Sequence, residues 1–269
     1  SFSKLYRCLL MPEQEACQSL INASPVTPPA TILLQAASKQ SELKTKTTFF
    51  KQTAALIRKD ISAELHTREI FNAMFVYAIL AMLIFSFALD LHGAVARAAA
   101  PGVLWATIVF AGTLGLSRSM TREQQSGGIE GLLLAPAERA VIWLGKAVGN
   151  WLMMTAVELV LIPLSTVMLN VSFFHPGVLI ALFLGTVGYA AVGTLLSAIA
   201  INTRAREVML PILLLPLLVP LLIAAVQITG NIVSGGGWGE VGGWVRSMVI
   251  YDLIVIAVAL LAFGYIVEE

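Results

Sequence analysis

From residue 70 onward the chain is a succession of long apolar runs parted by short charged or glycine-rich breaks. Ile70–Leu89 carries no charge and stops at Asp90. Ala98–Ser117 lies uncharged between Arg97 and Arg118. Ala147–Asn170 is apolar apart from Glu158 and scattered polar residues, and His175-Pro176-Gly177 then breaks the pattern. Val178–Asn202 and Val208–Ile228 follow, separated by Arg204, Arg206 and Glu207. Glycine-rich residues 229–243 precede the last run, Met248–Val267. A helix crossing ~30 Å of hydrocarbon at 1.5 Å per residue needs about 20 residues. Backbone in lipid must satisfy its own hydrogen bonds, so runs of this length predict helices, six in all.

The segment before the first run has a different period. Ala54, Ile57, Ile61 and Leu65 recur at steps of three and four, with Lys51, Arg58, Lys59 and Arg68 mostly elsewhere on the wheel. This predicts a basic amphipathic helix over 48–71, lying flat in the membrane interface and joined directly to the first span; a helix packed on a cytosolic partner is the alternative. Residues 1–47 contain Pro25, Pro28 and Pro29 and show no period, and Leu9-Leu10-Met11 is too short for the apolar core of a signal peptide. They are expected to form a flexible N-terminal extension, leaving 72–269 as the six-helix domain.

Composition agrees. Of 269 residues, 58% are hydrophobic and 12% charged, against about 25% charged in an ordinary soluble domain. The net charge of +1 offers no field to draw nucleic acid. Cys8 and Cys17 are too few for a disulfide scaffold or a cysteine-rich metal site. Charge also orients the chain. Counting Lys and Arg flanking the spans puts twelve on the side holding the 44–68 segment and the second and fourth connections, and two, Arg97 and Arg246, on the other. The excess marks the cytoplasmic side, so both termini are expected there.

Chemistry-bearing motifs are sparse. Gly145-Lys146 is followed by Ala147, not Ser or Thr, and there is no phosphate-binding loop, so the chain is not expected to hydrolyse ATP. His66, His92 and His175 are scattered; His92 and His175 fall in loops on one side and read as solvated rather than as haem or metal ligands. Glu158 lies near the middle of the third span, where an ionised group costs roughly 2.5–3.5 kcal/mol. It is a candidate intramembrane polar site, or a buried carboxyl bonded to Asn150 or Gln227. Asp252 is expected near the entrance of the sixth span, within reach of headgroups. Pro211, Pro216 and Pro220 interrupt the fifth span, giving a flexing or a fixed kink. Gly235-Gly236-Gly237-Trp238-Gly239 and Gly242-Gly243-Trp244 read as a loose loop with interfacial tryptophans.

The connection between the second and third spans is the long one on its side. Arg122-Glu123, Gly128-Ile129-Glu130, Leu132-Leu133-Leu134 and Pro136 suggest a short helix along the membrane face, able to fit a groove on a soluble partner and push on both attached spans. These residues, with Lys146 and Trp151-Leu152, resemble the CcmB family, the permease subunit of the cytochrome c maturation ABC transporter. Pro101-Gly102-Val103-Leu104-Trp105 is similar to that family's pattern, as are Leu210-Pro211, Leu215-Pro216 and Val219-Pro220. The likeness covers roughly residues 50–269.

The resemblance implies an all-α integral membrane protein of the type-2 ABC exporter kind, six transmembrane helices with an interfacial helix and a cytoplasmic coupling helix, in the inner membrane. It implies a separate ABC ATPase subunit that carries the ATP, a haem-handling membrane subunit with a small helper, and a periplasmic haem chaperone whose release follows hydrolysis. Haem enters at the level of the complex; this chain is assigned no cofactor. Arg122, Glu123, Gly128, Glu130 and Pro136 would form the ATPase-coupling loop, with Glu130 facing the ATPase and Gly128 allowing a turn. The residues alone leave two other readings open: a type-2 permease exporting a drug or lipid, and a non-transporting membrane scaffold for the ATPase. A secondary carrier is disfavoured, since it would show more intramembrane charge or an internal repeat.

Overall fold

The computed structural model describes residues 49–88, 93–125, 139–200, 206–266. They form seven helices: α1 (Phe49–Thr67), α2 (Glu69–Ala88), α3 (Gly93–Gln125), α4 (Arg139–Leu169), α5 (Pro176–Ala200), α6 (Arg206–Val233) and α7 (Trp238–Ile266). Residues 1–47 and the coupling-loop candidates Gly128, Glu130 and Pro136 lie outside the described residues.

The helices α2 to α7 supply six segments long and apolar enough to cross a membrane. Helix α5 is the hub. It packs on α3, α4, α6 and α7, while α2, α3, α6, α7 and α4 follow one another in a ring of contacts around it. Small residues let the neighbours approach: a methyl added at Gly185 would collide with the Trp105 indole of α3, and one at Gly193 with Leu116. The core they enclose contains Met82, Leu104, Phe173, Leu214, Leu218, Ile228 and Met248, all nearly inaccessible. Two of its polar side chains are paired across helices: Trp105 Nε1 donates to Thr229 Oγ1 (3.1 Å), and the Tyr189 hydroxyl donates to Val109 O (3.0 Å). The outer face is the reverse of a soluble protein's. Ile84, Phe87, Leu159, Val167, Ile212, Leu253 and Leu261 stand exposed. A continuous apolar coat of this kind is stable against hydrocarbon, not water.

Element ends follow local chemistry. Helix α4 ends at Leu169, and Asn170 just beyond it is in the left-handed region (φ 50°), with Val171 N–H returning to Thr166 O at 3.3 Å. The break at His175 is real: His175 O accepts from Val178 and Leu179 N–H, and Pro176 opens α5. Pro211, Pro216 and Pro220 do not end α6, which runs through all three.

Two boundaries differ from the sequence reading. The glycine-rich stretch is not a loose loop from 229 to 243. Helix α6 continues to Val233, the turn occupies residues 234–237 with Gly235 at φ +87°, and Gly239, Gly242, Gly243 and both tryptophans are helical. Glycine's weak helical preference is a matter of about 1 kcal/mol, less than several kcal/mol for unpaired backbone in lipid. As a result Asp252 is not at a span entrance. It stands 14 residues into α7, roughly 21 Å along the axis, and is 5% exposed. Helix α4 likewise starts at Arg139, so Lys146 is inside the helix rather than before it.

Candidate functional site

Helix α1 is amphipathic in an unusual sense. Its apolar stripe does not enter the bundle: Ala54 and Leu65 are exposed, and Ile57 and Ile61 are half-buried. The face turned to the bundle carries Thr53, Leu56, Asp60 and Glu64, at helical spacing. Leu56 seats on α4 at Gly145, where a methyl would lie 3.0 Å from Leu56 Cβ, and Asp60 passes over Gly149. Gly145 and Gly149 are four apart, so α4 offers α1 a small-residue track for close backbone approach.

Two cations fix this face. Lys146 Nζ of α4 lies 2.7 Å from Asp60 Oδ2. Arg122, in the last turn of α3, donates through Nη1 to Glu64 Oε2 (3.0 Å) and Thr67 Oγ1 (2.9 Å), and through Nη2 to Ala63 O (3.4 Å). Glu64 is 4% exposed. Its other oxygen accepts Phe71 N–H at 2.9 Å, which satisfies one of the unpaired donors at the start of α2. A carboxylate there also matches the positive end of the helix dipole. Between α1 and α2 the chain turns at Arg68, in the left-handed region (φ 52°). Arg118 and Glu69 add a longer, exposed pair at 3.7 Å, of the kind worth about 0–1 kcal/mol.

A cavity of about 130 Å³ lies under these pairs, between α1 and the ends of α2, α3 and α4. Asp60, Glu64, Arg122 and Lys146 line it, with Met74, Met153 and Met154 at its apolar wall.

The site residues expected from sequence fall in three places. Arg122 belongs to the knot just described and is engaged with α1. Glu123 is in the final turn of α3, while Gly128, Glu130 and Pro136 lie beyond the described residues. Glu158 is mid-span on α4, 5% exposed, and remote from the knot along the helix. Its expected bond to Asn150 is not made: Asn150 donates to Thr194 Oγ1 at 3.0 Å, and Glu158 Oε1 has no partner among the described residues. Asp60 and Glu64 are absent from the sequence-derived set. The signal was their four-residue spacing, which puts two acids on one face of an otherwise basic helix.

Five apolar helices closed around a sixth, α5, with no strand among the described residues and a polar knot at one end, define a multi-pass all-α membrane permease. The sequence model of the CcmB protein family matches residues 51–268, and the chain belongs to that family. It is similar to Heme exporter protein B of Pseudomonas aeruginosa, 27% identical over 156 residues that make up 58% of this chain and 70% of the relative. The protein of the same name from Rhodobacter capsulatus is 27% identical over 178 residues, 65% of this chain and 80% of the relative. That of Haemophilus influenzae is 26% identical over 166 residues, 60% and 75%.

Proposed function

We propose that the chain is the membrane permease of an ABC transporter complex serving cytochrome c biogenesis, coupling ATP hydrolysis on a separate subunit to haem handling. The family match over residues 51–268 carries this reading. The relatives' name, heme exporter protein B, supplies the substrate class. The chain has no phosphate-binding loop of its own, so the energy enters through an ABC ATPase docked on the connection between α3 and α4. The remaining partners are a haem-handling membrane subunit, a small helper and a periplasmic haem chaperone released after hydrolysis.

The complex sits in the inner membrane with both termini cytoplasmic, an orientation that the excess of Lys and Arg on one side supports. On this orientation the Arg122–Glu64 knot is at the cytoplasmic end of the bundle. Helix α1 lies along the interface, and its outward stripe, with Leu65 65% exposed, faces lipid.

The test is purification of the tagged protein in mild detergent from its native membrane, with identification of what accompanies it. The expected companions are an ABC ATPase and a haem-binding membrane protein, and deletion of the gene is expected to abolish c-type cytochromes. Normal c-type cytochromes after deletion would sink the proposal.

A further inference from the structure

The connection from α3 to α4 has two arms, and the same face of α1 is bound to both. Arg122 stands four residues before residue 126, where the connection leaves α3, and it grips Glu64. Lys146 stands eight residues after residue 138, where the connection meets α4, and it grips Asp60. Asp60 and Glu64 are one helical turn apart, so α1 spans the arms like a strut. Glu64 does more than pair with Arg122: through Phe71 N–H it also holds the first turn of α2. One carboxylate therefore ties the C-terminal end of α3, the α1–α2 corner and the first span.

Resting on the reading of the α3–α4 connection as the ATPase-docking element, we infer that Glu64 and Asp60 are positioning residues that carry its displacement into α1 and α2. Displacement of the α3 arm pulls Glu64 through Arg122, and Glu64 passes the pull to the α1–α2 corner at Arg68. Displacement of the α4 arm pulls Asp60 through Lys146. The stroke is then delivered to four helices rather than two. The cavity beneath the pairs gives the ends of α1 and α2 room to shift without repacking a filled core.

The experiment uses the full complex in lipid nanodiscs. Cys8 and Cys17 are replaced by serine, and an environment-sensitive fluorophore is placed on α1 at Ser62→Cys, an exposed position. ATP is expected to change the label's emission in the otherwise wild-type complex. Arg122→Gln is expected to cut that change at least about fivefold, the lower end of coupling between linked sites. Arg122→Lys, which keeps a cation beside Glu64, is expected to restore most of it. A purely structural role would lower protein yield without separating these two variants. Should Arg122→Gln fail to accumulate or lose the ATPase, Glu64→Gln carries the same threshold, since its amide still caps Phe71 N–H. An unmoved label in a complex that holds the ATPase and hydrolyses ATP overturns this inference alone. So does a full-sized ATP response in Glu64→Gln. A complex with no ATPase overturns the underlying reading and this inference with it.

Discussion

Leu56 of α1 rests directly on Gly145 of α4, with 3.0 Å between Leu56 Cβ and the place a methyl on Gly145 would take. The obstacle is the root of the side chain, which cannot swing away. Gly145→Ala is therefore expected to push α1 off its track and destabilise the protein by about 1–3 kcal/mol, the usual cost of overpacking. Thermal unfolding in detergent measures it, and limited proteolysis should cut first near residues 60–68. An unchanged melting temperature would show that α1 is not seated as described.

The Lys146–Asp60 pair predicts a non-additive cycle. Asp60→Ala withdraws the carboxylate from an ammonium that is 8% exposed, and is expected to cost about 1–3 kcal/mol. Lys146→Met with Asp60→Leu replaces both charges by apolar groups and is expected to come within about 1 kcal/mol of wild type. A double-mutant cycle on unfolding free energies reads the coupling. Additive single effects would mean the pair is weak.

In the core, Gly185 leaves space for the Trp105 indole, which reaches past it to Thr229. Gly185→Ala should displace the ring and break that hydrogen bond, at about 1–3 kcal/mol. A red shift in tryptophan emission should accompany the loss, and its absence would place the indole elsewhere.

Glu158 is a carboxyl nearly sealed in the bundle with Oε1 unpartnered among the described residues. Glu158→Met removes an unsatisfied buried group and is expected to raise stability by about 1 kcal/mol. If the complex nonetheless stops supporting c-type cytochromes, Glu158 is retained for function at the expense of stability. A drop in melting temperature would show instead that the carboxyl is well solvated or bonded.

Glu130→Arg addresses the connection itself. The variant is expected to reach the membrane at normal levels and to uncouple ATP hydrolysis from chaperone release. Immunoblots of membranes, with ATP consumption set against chaperone released by the reconstituted complex, decide it. Normal release would remove Glu130 from the docking role.

The spans were legible because lipid leaves a polypeptide few choices. Twenty uncharged residues declare a helix whatever their propensities, so Ile70–Leu89 and Val178–Asn202 fall within two residues of α2 and α5 at either end. The same insensitivity to propensity hid the start of α7. Glycines at 239, 242 and 243 are breakers in water, and reading them so moved Asp252 from the middle of a helix to its edge. The polar knot was harder to see, because periodicity picks out apolar stripes and α1 turns its apolar stripe outward. What the bundle takes from α1 includes the acids Asp60 and Glu64. Their partners lie 58 and 86 residues away, a distance no local pattern spans. Gly145-x-x-x-Gly149 sets two glycines one turn apart, but nothing nearby in the sequence says which helix will approach them.

The turn at Arg68 has a consequence for how this protein can vary. A left-handed backbone at a residue other than glycine costs roughly 1–2 kcal/mol, and here it keeps α1 and α2 from running on as one rod. One residue inserted between Glu64 and Glu69 would rotate α1 by about 100° relative to α2. Asp60 and Glu64 would then point away from both cations. The spacing across this corner is thus fixed as firmly as a gear's tooth count.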